Sequence, residues 1–256
     1  MIKIDDLSYN YPRYKESVIS ALSLKCKMGS VNVLLGLNGC GKTTLIKIIA
    51  GLLDNYIGEI NIAHKNHQKL SIIERSKILA YVPQDINFAD EYSVLDYILF
   101  GRVNTMKFYA SPKNDDIKKV RELASEFCIS HLLEKTICHL SGGEKQIVSI
   151  CRAIIQNTPI ILLDEPMSYL DIKNQHKVLE QLKRVVEKGD KTILLSSHNP
   201  NHALYLKGYV FLMKNGKIIK SGESKNIVTI NNLQEIYGEK ICYADELPHR
   251  EISLLL

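Results

Sequence analysis

The stretch GLNGCGKTT, residues 36–44, decides how the rest of this chain is interpreted. A short apolar strand pattern, VNVLL at 31–35, leads into it, and the helical pattern TLIKIIAGLL follows it and should end near Gly51. Glycines at 36 and 41, followed by Lys and Thr, fit the full pattern of a phosphate-binding loop, in which backbone N–H groups point at phosphate oxygens. The residues expected to contact a bound nucleotide are Gly36, Leu37, Asn38, Gly39, Cys40, Gly41, Lys42, Thr43 and Thr44.

Three side chains of this loop have specific expected roles. Lys42 should bridge the β- and γ-phosphates, and the hydroxyl of Thr43 should bind Mg²⁺. The thiol of Cys40 lies near the start of the predicted helix, where the thiolate form is favoured. We therefore expect Cys40 to be alkylated readily.

A second motif, IILLDEP at 160–166, places two carboxylates at the end of a continuous apolar run. Such a run is typical of a strand buried in a parallel sheet. From this position Asp164 can hold Mg²⁺, directly or through water. Glu165 is the next residue and points elsewhere, so it is the natural general base for activating a water molecule. Together the two motifs predict an ATPase.

The composition is that of an ordinary folded protein and argues against several classes. Of the 256 residues, 45% are hydrophobic and 24% are charged, and the formal net charge is +5. The basic excess is dispersed rather than clustered, so no nucleic acid is expected as a partner. The 6 cysteines lack CxxC pairs, which favours free thiols in a reducing compartment. No apolar run approaches the length of a membrane span and no signal peptide is evident, so a cytoplasmic location is expected.

Strand and helix patterns alternate along the chain, which predicts an α/β fold with a mainly parallel core sheet. Residues 85 to about 140 have helical spacing, with Asn114 as the expected N-cap, and indicate a helical insertion. The later stretch GYVFLMKNGKIIKSG contains Asn215-Gly216, a strong signal for a two-residue hairpin turn. The segment 231–256 reads as a helical piece and a tail.

The heptapeptide LSGGEKQ at 140–146 resembles the signature sequence of ABC (ATP-binding cassette) ATPases. It is more specific than the phosphate-binding loop, which many unrelated enzymes share. The resemblance covers nearly the whole chain and extends to further family motifs in the right order. These are Tyr11 as the residue that stacks on adenine (with Tyr9 as the alternative), Gln84 as the Q-loop glutamine, Asp171 in the D-loop and His198 as the switch histidine.

The resemblance implies a P-loop NTPase core with a mainly parallel sheet, an antiparallel β subdomain and an inserted α-helical subdomain. Residues 1–256 would form a single ABC ATPase domain. Within it, 1–84 and 159–230 would form the RecA-like core with the β subdomain. About 85–158 would form the helical subdomain that carries the signature, and 231–256 a C-terminal helix and tail.

The resemblance also implies that two copies pack head to tail around ATP and Mg²⁺. The signature would open a helix at roughly 143–157, whose N–H groups face the γ-phosphate held by the partner's P-loop. The residues implied to act in trans are Ser141, Gly142, Gly143 and Asp171. The implied catalytic residues are Glu165, His198 and Gln84, and the implied Mg²⁺ ligands are Thr43, Gln84 and Asp164.

Three short stretches of the sequence indicate which group of ABC ATPases the chain resembles most. The stretches YILFGR at 97–102, MSYLDIKNQ at 167–175 and SHNPNHA at 197–203 resemble importers for iron–siderophore, haem and cobalamin, and a molybdate or tungstate importer of similar build stays open. The implied partners are integral membrane permease subunits and, indirectly, a substrate-binding protein, with the chain peripheral on the inner face of the cell membrane. The rival functions are an exporter subunit and a non-transport soluble cassette for Fe–S assembly, translation or DNA repair.

Overall fold

The computed structural model describes residues 1–12, 17–85, 91–105, 112–187, 189–238, 241–243 and 252–254. Strands and helices alternate within these ranges, as the hydrophobic patterns predict. The strands are β1 (Ile2–Tyr9), β2 (Ile19–Lys25), β3 (Val31–Leu35), β4 (Ile57–Ile62), β5 (Lys65–Asn66), β6 (Leu79–Val82), β7 (Ile160–Leu163), β8 (Thr192–Ser197), β9 (Tyr209–Lys214), β10 (Lys217–Glu223), β11 (Ile241–Tyr243) and β12 (Ile252–Leu254). The helices are α1 (Lys42–Ala50), α2 (Ile72–Ile78), α3 (Val94–Leu99), α4 (Asn114–Glu126), α5 (Gly142–Ile155), α6 (Ile172–Glu187), α7 (Pro200–Leu206), α8 (Ser224–Ile227) and α9 (Ile230–Tyr237).

A six-stranded sheet carries the loops that form the candidate site. Its strand order is β10-β9-β3-β8-β7-β6, and every neighbouring pair except β10 with β9 runs parallel. All residues of β3 and β7 are buried, which explains the continuous apolar sequence of β7 and the apolar residues of β3; the buried side chain of Asn32 in β3 is hydrogen-bonded to neighbouring backbone groups. Because parallel strands end at the same edge, the loops that follow β3, β6, β7 and β8 meet there. The predicted mainly parallel core sheet is confirmed.

A second sheet, with strand order β2-β1-β4-β5, is antiparallel and confirms the expected β subdomain. Along β1 the side chains of Ile2 and Ile4 face inward and are at most 1% exposed. They belong to one apolar cluster with Leu45, Ile46 and Ile49 of α1. The helix that follows the phosphate-binding loop is therefore held between the two sheets.

The segment between β6 and β7 contains α3, α4 and α5, so the predicted helical insertion is confirmed. The helices pack on one another through buried residues that include Val94, Ile98, Val120 and Val148. The prediction that Asn114 caps α4 is wrong by one residue. Lys113 occupies the N-cap with extended backbone angles, and Asn114 is already helical.

The chain from β9 onward closes the sheet and adds the C-terminal elements. Asn215 and Gly216 have φ angles of 47° and 74°, so the predicted two-residue turn between β9 and β10 is confirmed. After α8 and α9, β11 pairs with β12 in an antiparallel ribbon. In the part of the chain that the structure describes, no helix has the length and apolar character that crossing a membrane requires.

Candidate nucleotide site

The loop between β3 and α1 forms a cradle of backbone groups. The N-cap of α1 is Gly41, which makes no side-chain cap, and the first turn holds no acidic residue, so this helix start can receive an anion. Gly41 has a φ of 106°, a conformation that favours glycine. Gly36 leaves no room for a side chain, because a Cβ there would lie 2.3 Å from the carbonyl oxygen of Met213 on β9. Both glycines are thus required by the backbone itself.

The cradle opens into a cavity of about 360 Å³. Residues predicted from separate motifs meet in its lining, which consists of Val18, Asn38, Gly39, Gly41, Lys42, Thr43, Thr44, Gln84 and Glu165. Tyr11 reaches the same region, with its Oη 3.2 Å from Thr44 Oγ1. Tyr9 is only 6% exposed within the core of the β subdomain. The structure therefore favours Tyr11 over Tyr9 as the candidate for stacking on a base.

Lys42 makes a buried ion pair inside this cavity. Its Nζ donates hydrogen bonds to the carbonyl oxygens of Gly36 (2.8 Å) and Leu37 (3.1 Å) and lies 3.3 Å from Glu165 Oε1. The side chains of Lys42 and Glu165 are 5% and 7% exposed, so water screens their attraction little. The ammonium group already contacts an anionic oxygen of the kind that a phosphate presents.

Asp164 follows β7 directly, and its carboxylate meets the phosphate-binding loop. Its Oδ1 accepts hydrogen bonds from Ser196 Oγ (2.7 Å) and Thr43 Oγ1 (3.0 Å), whereas Oδ2 is buried without a partner among the described residues. Burial raises the pKa of Asp164 by more than these two hydrogen bonds lower it. An orphaned carboxylate oxygen beside a threonine hydroxyl, with Gln84 lining the same cavity, is a hard-oxygen donor set that suits Mg²⁺. These residues fit the predicted magnesium site.

Glu165 is held by contacts on several sides. Its backbone N–H donates to Ser196 Oγ at 2.7 Å, and its Oε2 lies 3.0 Å from Nδ1 of His198. Burial by itself would raise the pKa of Glu165, but the hydrogen bond to His198 and the charge of Lys42 outweigh it and lower the pKa. The same hydrogen bond raises the pKa of His198. The carboxylate is therefore ionised and in contact with a group that can hold a proton.

The signature residues lie at the start of α5. Ser141 is the N-cap, its Oγ accepts a hydrogen bond from Glu144 N–H, and Glu144 Oε2 accepts one from Ser141 N–H. The helix begins one residue earlier than expected, at Gly142. Asp171 caps α6 in the same way, because its Oδ1 accepts from Asn174 N–H at 2.7 Å. None of Ser141, Gly142, Gly143 and Asp171 is among the described residues that line the cavity of their own chain.

The expected thiolate character of Cys40 is wrong. The thiol is 8% exposed, and burial raises its pKa by more than the nearby Lys42 and backbone N–H groups lower it. The position of Cys40 at a helix start correctly predicted that the nearby backbone N–H groups lower its pKa. It did not predict that the loop would enclose the side chain.

Ser196 is a site residue that the motifs did not identify. Its hydroxyl donates to Asp164 Oδ1 and accepts from Glu165 N–H, so it connects the two carboxylate residues. A further chain of contacts runs behind it, from Ser197 Oγ to His202 Nδ1 (3.0 Å) and from His202 Nε2 to Gln175 Oε1 (3.4 Å). The sequence did contain one signal for Ser196: it lies at the end of a predicted strand, two residues before His198.

The fold and the site define a P-loop ATPase of the cassette type, and comparison with protein-family models agrees. Residues 19–168, more than half of the chain, match the family described as ABC transporter. A probable iron chelatin transport ATP-binding protein from Helicobacter pylori (strain J99) is 32% identical over 96% of this chain and 98% of its own length. The chain belongs to the ABC transporter family and is one of its ATP-hydrolysing members.

Solved structures show the same architecture. A chain assigned to a metal-chelate type ABC transporter, captured in an inward-facing conformation, superposes with a TM-score of 0.80 at 27% identity, covering 98% of this chain and 94% of that one. A dimeric ATP-binding cassette in a post-hydrolysis state with ADP and phosphate gives a TM-score of 0.77 at 25% identity, covering 88% of this chain and 99% of that one. These neighbours confirm the ABC ATPase fold.

Proposed function

We propose that this chain is the ATPase subunit of a membrane importer for a metal chelate, such as an iron complex, haem or cobalamin. The observation that carries the ATPase half of the proposal is the pair Asp164–Glu165, which lies against Thr43 and Lys42 of the phosphate-binding loop. The import half is supported by the relative named for iron chelatin transport and by the structural neighbour of metal-chelate type.

In the proposed reaction, Glu165 is the general base that accepts a proton from the attacking water. It first has to release Lys42, which then neutralises the β- and γ-phosphates of ATP. Release is feasible because His198 still holds the other carboxylate oxygen, Oε2, when Oε1 becomes free. The His198 imidazole then keeps the freed carboxylate oriented.

Thr43, Asp164 and Gln84 are the residues that would hold Mg²⁺. The bound ion would supply charge neutralisation of the phosphate oxygens. This chain contributes the preformed oxygens, and Ser196 fixes the Asp164 carboxylate by a hydrogen bond to Oδ1. The bound ion would give the buried Oδ2 of Asp164 a partner. The free-energy cost of burying this oxygen unpaired would then be removed.

The second half of the site would come from another copy of the chain. At the start of α5 the capping box pairs the N–H groups of Ser141 and Glu144, which leaves those of Gly142 and Gly143 as the groups that could bind an anion. These residues do not line the cavity that holds Lys42. A head-to-tail pair would bring this helix start to the γ-phosphate in the partner's P-loop, with Asp171 beside it. The dimeric neighbour supports this arrangement.

The proposed permease contact is a groove between β6 and the helical subdomain. A cavity of about 290 Å³ lies there, lined by residues of both parts that include Tyr81, Asp85, Tyr97 and Arg152. Arg152 donates to Tyr97 Oη at 3.1 Å and lies over its ring, so a charged group and an aromatic ring are held together in the lining. A permease bound in this groove would place the chain on the inner face of the cell membrane.

The Glu165→Gln variant tests the proposed base. The amide cannot accept the proton, so kcat for ATP hydrolysis is expected to fall about a hundredfold or more. Nucleotide affinity, measured by fluorescence titration, should stay close to wild type because the P-loop is intact. The control is Glu187→Gln, which makes the same chemical change at the end of α6. Unchanged hydrolysis by Glu165→Gln would refute the assignment.

Cargo is tested by uptake. Cells that express the chain with its permease and binding protein are expected to accumulate a radiolabelled iron chelate, and the Glu165→Gln variant should abolish this accumulation. Labelled molybdate serves as the competing cargo in parallel assays. Uptake of molybdate alone would overturn the metal-chelate assignment, and failure of the chain to co-purify with any integral membrane protein would overturn the importer function.

A further inference from the structure

The C-terminal helix α9 reaches the loop that carries His198. Tyr237 is the last residue of this helix, and its Oη donates a hydrogen bond to the carbonyl oxygen of His198 at 2.7 Å. The two residues are 39 positions apart in the sequence, so the contact joins separate elements. Nothing in the motifs that identify the ATPase points to a residue this far along the chain.

The residues on either side of His198 are fixed within their own loop. Ser197 Oγ accepts a hydrogen bond from Asn199 N–H at 3.0 Å and lies 3.0 Å from His202 Nδ1. The side chain of Asn199 in turn caps α7. The carbonyl of His198 lies between these fixed points and is held from outside the loop, by Tyr237. A displacement of the His198 backbone that carried the imidazole away from Glu165 would also move this carbonyl and break that bond.

The helix that presents Tyr237 is firmly anchored. Leu233 and Ile236 are buried in the main apolar cluster, at 0% and 5% exposure. Two lysines of the neighbouring hairpin add polar contacts: Lys214 Nζ donates to the carbonyl of Glu235, and Lys220 Nζ donates to the side chain of Asn232, both at 2.6 Å. Because α9 is fixed to the sheet in this way, the hydroxyl of its last residue has a defined position.

The hydroxyl of Tyr237 is a permanent donor. Burial raises its pKa, and the nearby Cys40 and Glu165 raise it further, so it stays protonated at any pH at which the protein functions. Its hydrogen bond to His198, whose imidazole contacts Glu165, places the hydroxyl next to a loop of the candidate site. Tyr237 is itself absent from the lining of the cavity around Lys42 among the described residues.

We propose that Tyr237 is a positioning residue for ATP hydrolysis, which acts by fixing the His198 peptide so that the imidazole stays directed at Glu165. This inference rests on the role proposed above for His198. Loss of the hydroxyl leaves the P-loop contacts intact, so nucleotide binding is retained. The chemical step slows because small displacements of a group that orients the base are costly.

The test uses the full-length chain with Tyr237→Phe, which removes one oxygen and keeps the ring. We expect kcat to fall about tenfold while KM for ATP changes less than about twofold. In a His198→Ala background the same substitution should have no further effect on kcat, since Tyr237 acts through the lost imidazole. The control is Tyr205→Phe on the adjacent α7, a tyrosine that is 38% exposed and packs its ring on His176.

A spectroscopic measurement keeps the test independent of turnover. The imidazole resonances of His198, assigned by their disappearance in His198→Ala, report its pKa, which contact with Glu165 raises. Tyr237→Phe is expected to lower this pKa toward the ordinary value of 6.5, whereas Tyr205→Phe leaves it unchanged. Thermal unfolding of each variant shows whether the fold is retained.

The outcomes separate the two hypotheses. An unchanged kcat and an unchanged His198 titration in Tyr237→Phe overturn the positioning role, while a loss of activity in His198→Ala still supports the role of His198. Equal and additive losses in the double variant also overturn the positioning role, because Tyr237 would then act by another route. If His198→Ala hydrolyses ATP at the wild-type rate, the role proposed for His198 itself is overturned.

Discussion

Glu165 has a backbone conformation that its residue type disfavours. Its φ of 45° lies in the left-handed region, which costs a non-glycine residue about 1–3 kcal/mol when other contacts enforce it. The enforcing contacts are visible: Ser196 accepts from its N–H, and Lys42 and His198 hold its two carboxylate oxygens. Strain at this residue is consistent with a carboxylate whose direction matters for the reaction.

Two buried histidines, His67 and His202, do not line the cavity around Lys42 and predict how stability depends on pH. Burial lowers the pKa of His67 and of His202 to about 4. Unfolding returns each to its ordinary value of 6.5, so the folded state binds fewer protons and stability is lost as pH falls from 6.5 toward 4. By pH 5 the loss should be about 1–2 kcal/mol per histidine.

Urea unfolding at pH 7 and pH 5 checks this expectation. In the wild type the urea concentration at the unfolding midpoint should be clearly lower at pH 5 than at pH 7. In His67→Gln, which removes one titrating group next to Tyr56, the drop should be smaller. A matched replacement at an exposed position, His176→Gln, should leave the pH dependence as it is in the wild type. An equal fall of the urea midpoint between pH 7 and pH 5 in all three proteins would contradict the assigned contribution of His67.

The location of residues that belong to a local motif could be predicted from the sequence. The burial of a side chain and its ion-pair partners could not, because they depend on the surrounding fold. Lys42, Thr43 and Asp164 lie together as expected, because their motifs fix both the residue type and the position at a strand end. The ion pair of Lys42 with Glu165 was not predicted, since side-chain direction within the cavity depends on His198 and Ser196. The burial of Cys40 depends on the surrounding fold for the same reason.

At the scale of elements, two helices begin with the same capping box. In α2, Ser71 and Glu74 exchange side-chain and backbone hydrogen bonds, and in α5, Ser141 and Glu144 do the same. Both serines are exposed, and both boxes satisfy N–H groups that a helix start leaves unpaired. The box at the start of α5 also belongs to the surface proposed above to meet a nucleotide held by a second copy.

This pair provides an internal control for the signature. Ser71→Ala and Ser141→Ala should each cost about 1 kcal/mol of stability, because each removes an N-cap. Ser141→Ala should also reduce ATP hydrolysis at saturating protein concentration, whereas Ser71→Ala should not. Unfolding midpoints and steady-state rates measure the two effects separately. If both variants hydrolyse ATP at the wild-type rate, Ser141 has a structural role alone.

Elements with strong local signals were predicted well. The end of α1 at Gly51 and the turn at Asn215-Gly216 follow from glycine at positive φ. The short helices α2 and α8 were not predicted, because neither is long enough to show an apolar periodicity; α2 has no buried residue and is held by its capping box and by polar contacts to neighbouring elements. Arg75 of α2, for example, donates to the carbonyl of Gly51 at the end of α1.

At the scale of the whole molecule, the proposed head-to-tail pair can be tested by mixing two defective chains. Lys42→Ala removes the P-loop cation. Gly142→Asp places a negative charge at the signature, where the structure has room for a Cβ and where an acidic residue stabilises a helix start. Each variant alone should be inactive. A mixture should recover about a quarter of the wild-type rate, since half of the pairs are mixed and each mixed pair has one intact site.

The control mixture combines Lys42→Ala with Glu165→Gln. Both substitutions damage the same half-site, so no pairing of these two chains can assemble an intact site, and activity should stay at background. Recovery in both mixtures would indicate subunit exchange artefacts, and recovery in neither would contradict the shared site.

The class of the fold could be predicted from sequence, but the order of its strands could not. Alternating patterns indicate a parallel sheet, and the helical spacing of residues 85 to about 140 indicates the helical insertion. The placement of β3 between β8 and β9 depends on pairing between residues far apart in the chain, for which a single sequence carries no local signal.

That placement has a consequence for synthesis. β3 bonds to β8 through pairs such as Val31 with Ile193 and to β9 through pairs such as Asn32 with Tyr209. During translation, β3 therefore remains a strand with both edges open until β8 and β9 have been synthesised. Exposed strand edges promote aggregation, so we expect nascent chains of this protein to depend on cotranslational chaperones.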